Sequence, residues 1–554
     1  FFSFLKFFYS LWNFFKKKGW PIPVKGSWHK ENINIYLWRF GMKKTIFLAL
    51  FGIFILAYFL RVVFLKDLAV TFSYDQARDA FSALQIAGGH LKILGPPAST
   101  QGLFHGVFYY YLLAPAYWLG HGSPIVAAYW MAFLNSLSVF LVFYLTYQVS
   151  KKVGLALLAA FFFAISFEAI QYATWLSNPT LGVWTVPLIY IGLWAWVKEK
   201  KNWGPPLAAI GLGLSVQSEI FLAYHIIPLL LWLWIGRNNV TRRSRAVFFG
   251  FFIAAISSML IAEVKFGFKS VGGVTALLSS QDPFLNRKSL GDFLVLYLNQ
   301  FGRIFTNNVL PFNAGYGSVL GLGAIWWAFA NWRREKSKEK VLWQPYLLTF
   351  VFAYLPAVSM GGISTPFLSV GLGIAAVILA AFLVYGLWKK HRKIAIMLFV
   401  AIVISNLGII FSENKKGEML FAIQSNMTIR YETQGIDYIY KEASGKPFSL
   451  NSITSPLWIN TTWSYLFNWY GRKKYGYLPQ WHGSDQTSLL GDNLPVTAPE
   501  TRLYFLIIEP EDVPGNFLAA EIGKENNKSM LLQETRFGGF IVQKRERIVN
   551  EGVK

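Results

Sequence analysis

The sequence predicts a polytopic α-helical membrane protein of about 11 spans with a soluble α/β domain at its C-terminal end, and three observations predict it. Of the 554 residues, 54% are hydrophobic and 18% aromatic but only 14% charged, against roughly 25% charged in a soluble domain. Apolar stretches long enough to cross a bilayer recur along the chain. The short segments between alternate stretches are basic. An ordinary cytosolic enzyme is thereby excluded. The net charge of +24 would suit nucleic acid, but no polar domain is free of long apolar runs, so the implied partner is a lipid bilayer and not nucleic acid. Without cysteine there is no disulfide framework, Cys zinc site or thiol nucleophile.

Residues 1–41 differ in character from the rest of the chain. Met42-Lys43-Lys44 before an apolar run looks like a bacterial start, so 1–41 read as upstream translation or as a short cytoplasmic or interfacial arm, its aromatic and basic stretch Phe7 to Lys18 suiting a membrane surface. The run Ile46 to Leu65 lacks a small-residue cleavage site and reads as a retained first span. The candidate spans are 44–65, 125–149, 153–173, 179–197, 205–219, 220–236, 245–263, 317–332, 341–358, 366–388 and 393–411.

Five basic clusters, Lys151-Lys152, Lys198 to Lys201, Arg237 to Arg245, Arg333 to Lys340 and Lys389 to Lys393, hold 18 Lys/Arg against three acids, Glu199, Glu335 and Glu339. The positive-inside rule puts all five in the cytoplasm of a prokaryotic plasma-membrane protein, with the N-terminus inside. Were Phe104 to Leu119 a further span, every later cluster would fall outside. With Pro115 within it, that stretch reads instead as an interfacial or re-entrant helix. Residues 42–411 then form the membrane module, with outer loops 66–124 and 264–316, and 412–554 an outer domain. Mixed charge, strand-like Leu503 to Ile508 and Phe540 to Gln543, and turns at Pro510, Pro514-Gly515 and Gly538-Gly539 make that domain α/β.

The first outer loop contains SYDQARDAFSALQIAGGHLKILGP, residues 73–96. Ser73 and Gln76 have capping-box spacing, and Gly88-Gly89 ends the helix they start. Asp75 lies in its first turn, where the macrodipole favours an ionised carboxylate, and Arg78 and Asp79 lie on the same side. Asp75 is either a second cap beside a solvated Arg78–Asp79 pair, or a base able to take a hydroxyl proton, or bind a cation, while Arg78 meets phosphate. Further on, GLFHGVFYYYLLAP, residues 102–115, offers His105 for phosphate or metal, a lone His being more often structural. Tyr109, Tyr110 and Tyr111 read as an interfacial belt rather than a sugar platform.

Polar residues inside spans are expensive in lipid. Glu168 and Gln171 lie one turn apart at the outer end of the third span, and Gln217 and Glu219 sit where two short spans meet. Each pair is either substrate-binding or an internal hydrogen bond. Glu263, Lys265 and Lys269 open the second outer loop, followed by Arg287, Lys288 and Arg303. Bases outside run against the charge bias, and a lipid phosphate would explain them, a solvated loop face being the alternative for Arg287 and Lys288. His225, within a span, reads as packed.

The order of a first span, an acidic residue at an outer helix start, Gly-Gly, Gly-Pro and FHGVFYYYL resembles the polyprenyl-phosphate-sugar-dependent membrane glycosyltransferases. These include the protein O-mannosyltransferases and the lipid A aminoarabinose transferases, with the glycosyltransferase C fold. YATWLSNPTL, residues 172–181, and IAEVKFGFKS, residues 261–270, agree, and the likeness covers residues 44–410. It implies that Asp75 is the catalytic base, assisted by Arg78 and Asp79. The family often has a second acid before a proline at the outer end of the third span; this chain has Asn178 before Pro179, which removes a carboxylate there and leaves a residue able to bond a sugar or orient the base. The resemblance further implies an inverting transfer from a polyprenyl-phosphate sugar to a protein, lipid or glycan acceptor, the phosphate held by Lys265, Arg303 and Arg78. A divalent metal ion is compatible with this chemistry, although no HExxH or clustered His identifies ligands. A transporter or flippase of a lipid-linked sugar is the competing reading, opposed by the missing internal repeat.

Overall fold

The computed structural model describes residues 44–98, 102–273, 289–335, 340–354, 366–420, 424–483, 486, 493–496, 501–510 and 515–548. The proposed arm 1–41, and Arg287 and Lys288, lie outside them. The chain divides into two compact units, Phe1–Ala49 and Leu50–Lys554. Of the first, 44–49 are described, as the start of helix α1 (Lys44–Val62); the rest of α1 and every other element belong to the second.

Residues 66–124 contribute α2 (Tyr74–Ala87) and α3 (Phe108–Leu119). Next come α4 (Pro124–Ser136), α5 (Ser138–Ser150), α6 (Val153–Ala164), α7 (Phe167–Thr174), α8 (Gly182–Val197) and α9 (Gly204–Ser218). A 3₁₀ turn, Ile220–His225, leads to α10 (Ile226–Ile235), α11 (Arg242–Ala255) and α12 (Ser257–Lys265). The membrane-like part closes with α13 (Leu290–Val309), α14 (Ala314–Arg333), α15 (Trp343–Val351), α16 (Leu372–Lys390) and α17 (Arg392–Glu413).

Each expected span carries helix, yet five helical segments among the described residues are long and apolar enough to cross a membrane, or seven if each of two bent pairs is one span. Two of the stretches fall short through local geometry. The stretch 205–219 holds a helix of 15 residues, roughly 22 Å against a hydrocarbon core of about 30 Å, and 220–236 opens with a 3₁₀ turn. The helix α3 has 12 residues, too few to cross. Glycine lets α8 and α9 touch: a Cβ on Gly192, Gly204 or Gly211 would run into the facing helix backbone.

Both bends have a cause that can be named. Helices α6 and α7 meet at 55° and α11 and α12 at 58°, which frees backbone groups that the helix ladder no longer satisfies. At the first bend the buried Arg61 Nη1 donates to Ala164 O at 3.0 Å, while Phe167 N donates to Asn406 Oδ1 at 3.0 Å. At the second, Gln217 Nε2 donates to Ala255 O, and Ser258 Oγ to Gln217 Oε1 at 3.3 Å.

The C-terminal region is a five-stranded mixed sheet of order β2-β1-β3-β5-β4. Helix α18 (Ile429–Ala443) precedes β1 (Ser449–Ile453), α19 (Thr461–Leu466) and β2 (Gln480–Trp481). Strand β3 (Leu503–Ile508), helix α20 (Gly515–Lys528), β4 (Ser529–Phe537) and β5 (Phe540–Arg547) complete it. Strand β1 lies parallel to β2 and β3, and β5 antiparallel to β3 and β4. Period-2 alternation divides its side chains: Leu450, Phe505, Ile507 and Val542 join the main core, whereas Ile453, Leu506 and Ile508 pack with Leu518 and Ile522 of α20.

That main core is shared with residues 66–124. Phe72, Ala77, Ala80, Phe81, Tyr109 and Tyr117 belong to the same buried cluster as Ile436, Trp463, Tyr465 and Phe540. A backbone strip joins the two regions: Ile429 N donates to Val70 O at 2.9 Å, Phe72 N to Met427 O at 3.2 Å and Arg430 N to Leu68 O at 3.2 Å.

Among the described residues of the domain, two buried acids have no cation beside them. Glu509 accepts from Gln424 Nε2 at 2.8 Å, Ser455 N at 2.9 Å and Trp463 Nε1 at 3.0 Å, and burial pushes its carboxyl up to about 7 against these bonds. Burial, reinforced by Glu509, also pushes Glu432 well up. A raised folded pKa gives stability that is complete below the unfolded value and lost as pH rises through the folded one. Glu509→Gln removes that loss, so the apparent Tm of the variant relative to the parent should climb by several degrees between pH 4.5 and 7.5. A Tm difference that is flat with pH would contradict the assignment.

Candidate active site

Helix α2 begins where its sequence places it: Ser73 N and Oγ both donate to Gln76 Oε1, at 3.1 and 2.8 Å, and Gly88 caps its C-terminus. Arg78 is the hub of a trio. Its Nη1 meets Asp75 Oδ1 at 2.6 Å, and its Nη2 and Nε meet Asp79 Oδ1 at 2.8 and 2.9 Å. The expected solvated pair is a buried one, with Arg78 8% and Asp79 1% exposed. The cause is the shared core, which covers this face of α2. Asp75, with its side chain 45% exposed, is the member that a substrate can reach.

The electrostatics follow from this burial. Burial works against the Arg78 charge, but Asp79 and Asp75 outweigh it and hold the guanidinium above its ordinary value. Burial pushes Asp79 up to about 7, with Arg78 pulling the other way and Asp75 adding to the rise. Arg78 therefore stays charged throughout, and three of its donors are already engaged by carboxylates. Such a group holds Asp75 in place more readily than it captures a phosphate.

Tyr109 and Tyr110 do not form an interfacial belt. Both are buried with Tyr117 in the core beneath α2, because α3 packs along α2 rather than facing lipid. Tyr111 is half-buried and donates to Lys92 O at 2.9 Å.

His105 and the 217–219 segment form a second group. His105 Nδ1 accepts from Ile220 N at 3.3 Å, which leaves Nε2 to carry the ring proton. Burial, then Arg78, lowers its pKa to about 4, so it is a neutral donor at pH 7. The buried Glu219 lies with Oε1 3.9 Å from His105 Nδ1 and accepts from Phe221 N at 3.4 Å. Asn178 Nδ2 donates to Ser218 O at 2.5 Å, tying the Asn-Pro corner to the same segment. Gln217 binds the loop itself, accepting from Phe108 N at 3.2 Å through its side chain and from Gly106 N at 2.8 Å through its carbonyl.

A Cβ on Gly106 would stand 2.5 Å from Gln217 Cγ and Oε1. Gly106→Ala should push Gln217 off these bonds at a cost of about 1–3 kcal/mol, read as a lower apparent Tm. An unchanged Tm would show that Gln217 yields freely.

A third group lies at the first bend. Glu168 Oε2 accepts from Asn308 Nδ2 at 3.1 Å and interacts electrostatically with Arg303, whose Nη2 donates to Ser369 Oγ at 2.9 Å. Gln171 binds Asn414 Oδ1 at 2.7 Å and accepts from Leu420 N at 2.9 Å, anchoring the chain as it leaves α17. Glu263 accepts from Ser270 N at 3.2 Å, while Lys265, over the Phe266 ring, and Lys269 are exposed. His225 is packed, its Nδ1 2.9 Å from Tyr190 OH. Among the described residues no group of three or more His, Asp or Glu is placed to hold a metal ion; the trio has two carboxylates, both turned to Arg78.

Sequence reasoning misses Arg61, Asn308 and Asn406. Arg61, a lone charge inside the first apolar stretch, carries a usable signal; the asparagines, being mild polar interruptions, do not.

A cavity of about 330 Å³ opens beside His105. Leu94, Leu103, Ile220, Ile256 and Leu260 give it apolar walls, and His105 and Glu263 are its ionisable residues.

The fold combines bent apolar helices, a helix bearing the charged trio and a C-terminal domain that shares its core with that helix. Two solved structures share it. ArnT from Cupriavidus metallidurans bound to undecaprenyl phosphate aligns with a TM-score of 0.56 and 10% identity, covering 90% of this chain and 97% of that one. The apo state of the same protein aligns with a TM-score of 0.50 and 11% identity over the same shares. No family model matches the sequence, and no curated protein does.

Proposed function

We propose that the protein transfers a sugar from a polyprenyl-phosphate-linked donor to an acceptor hydroxyl, with inversion, at the outer face of a membrane. The observation that carries this is an apolar cavity lined in part by His105, a neutral histidine that feels the charge of Arg78. An isoprenoid chain needs apolar walls and its phosphate needs N–H donors. A solved structure of similar fold holds undecaprenyl phosphate, which supports the same class of donor here.

Asp75 takes the acceptor proton as the acceptor oxygen attacks the anomeric carbon; the bond from that carbon to the phosphate oxygen breaks, and polyprenyl phosphate leaves. Arg78 holds Asp75, and Asp79 fixes Arg78 from behind. His105 donates from Nε2 to the lipid phosphate, with Lys265 and Lys269, which lie between the cavity-lining Glu263 and Ser270, supplying positive potential and Arg303 supporting Glu168. Glu168, Gln171, Asn178, Gln217, Glu219 and Glu263 shape the surrounding segments. These steps use the chain's own residues, and a divalent metal ion is compatible with them. The sugar is a pentose, hexose or amino sugar, and the acceptor a protein, lipid or glycan.

Purified protein given a radiolabelled polyprenyl-phosphate sugar and a crude envelope acceptor fraction should move label to the acceptor and release polyprenyl phosphate. Movement of intact labelled lipid between leaflets with no release would instead make the protein a flippase.

A further inference from the structure

The sheet of the C-terminal domain has a place for a ligand that involves none of the residues around Asp75. Strands β2, β1 and β3 are parallel neighbours in that order, so the chain leaves β1 to one side for β2 and comes back past it for β3. The connections also leave on opposite faces. After β1 the chain enters α19, whose Trp463 and Tyr465 belong to the main core with Leu450. After β3 it enters α20, whose Leu518 and Ile522 pack on Ile453 and Ile508. Loops that part in this way open a crevice outside the carboxyl ends of the strands, which is where open α/β sheets bind ligands.

A crevice lies there, lined by Ser452 and Ile453 at the end of β1, Leu457 and Trp458 in the loop that follows, Trp481 of β2 and Glu521 of α20. Its enclosed part is about 10 Å³, room for one water or one hydroxyl group. Two residues of its wall carry unused hydrogen-bonding capacity. Trp481 Nε1, in a residue 4% exposed, and Ser452 Oγ, in one 7% exposed, have no partner among the described residues, the first a donor and the second a donor or acceptor. A buried donor left so is costly. Glu521 accepts from Lys524 Nζ at 2.6 Å, which uses one of its several lone pairs. At the mouth Trp458 is 44% exposed. Its loop is held by Thr454 Oγ1, which donates to Pro456 O at 2.8 Å and accepts from Ile459 N at 3.1 Å, and by Ser455 N, which donates to Glu509.

We infer that this crevice binds a neutral hexopyranoside, with one hydroxyl in the enclosed part and one C–H face of the ring on Trp458. The hydroxyl oxygen accepts from Trp481 Nε1 and its hydrogen goes to Ser452 Oγ. The negative face of an indole attracts the slightly positive C–H bonds of a sugar ring, and an exposed aromatic beside a few fixed polar groups is the usual make-up of a site that orients a small polar ligand. Glu521 at the rim makes an anionic sugar a poorer fit than a neutral one. The inference does not rest on the proposed sugar transfer.

Saturation-transfer NMR on the full chain, in an amine-oxide detergent that brings no sugar headgroup, tests it with methyl β-glucopyranoside and with glycerol, which has hydroxyls but no ring. The glucoside should take up saturation on its ring C–H protons, and glycerol should not. Trp458→Ala should weaken glucoside binding about fivefold or more. Ser452→Ala should weaken it too while leaving the apparent Tm equal or higher, because the hydroxyl it removes has no partner among the described residues. Asp75→Asn should leave the signal as it is. Saturation of glycerol as strong as that of the glucoside would overturn the proposal, as would an unchanged signal in Trp458→Ala. If that variant does not fold, unchanged binding in Ser452→Ala would do the same. A signal lost in Asp75→Asn but kept in Trp458→Ala would put the sugar at the other site and equally overturn it.

Discussion

Asp75→Asn should lower sugar transfer by a factor of about 10²–10⁴ while leaving a folded protein. The amide keeps the shape of the carboxylate and can still accept from Arg78 Nη1 through Oδ1, so the 2.6 Å contact survives in weaker form. What it loses is basicity at the one acidic group of the trio that is open to solvent. Asp79 offers a useful contrast, because it is fully buried against Arg78. Asp79→Asn leaves a buried guanidinium short of charge and should lower the apparent Tm as well as activity. Transfer rates measured beside size-exclusion profiles and Tm separate the two. Full activity in a well-folded Asp75→Asn protein would remove Asp75 as the base.

The second large effect concerns the C-terminal domain. Removing residues 424–548 should leave no active protein, because α2 has no core of its own. Its Phe81 ring lies edge-on to Tyr465 at 4.9 Å, Phe72 lies 5.4 Å from the same ring, and Tyr465 OH donates to Gly122 O at 2.5 Å. Trp463 is fully buried, bonded through Nε1 to Glu509 and packed on Phe540 at 4.9 Å. Trp463→Ala should therefore cost about 3–5 kcal/mol, seen as a fall in apparent Tm with parallel loss of transfer. A truncated chain that still transferred sugar would show that residues 66–124 hold α2 by themselves.

Much of this site is legible locally. The capping box and Gly88-Gly89 mark α2 to within a residue, since both are set by backbone bonding inside one short segment. The polar pairs Glu168/Gln171 and Gln217/Glu219 stand out because apolar helices tolerate few such residues. Two misreadings share one origin. The Arg78–Asp79 pair looks solvated and the tyrosines look interfacial in sequence because the packing of α3 along α2, and of Tyr465 from more than 300 positions later against both, exists only in the fold. The same holds for the bends: Ser166 and Ile256 carry no Pro or Gly signal, and the groups that satisfy the broken ladder, Arg61, Asn406 and Gln217, come from other helices. The eleven apolar stretches of the sequence and the five to seven helical segments long and apolar enough to cross among the described residues count different things, for hydropathy reports burial without saying whether lipid or protein provides it.

The most direct test of the proposed function is the position of a bound donor. A structure of the protein with a polyprenyl phosphate should show the isoprenoid chain in the cavity lined by Leu94, Leu103, Ile256 and Leu260, with the phosphate at hydrogen-bond distance from His105 Nε2 and on the Asp75 side of it. A phosphate found at the opposite end of the helices, or a chain that avoids this cavity, would contradict it.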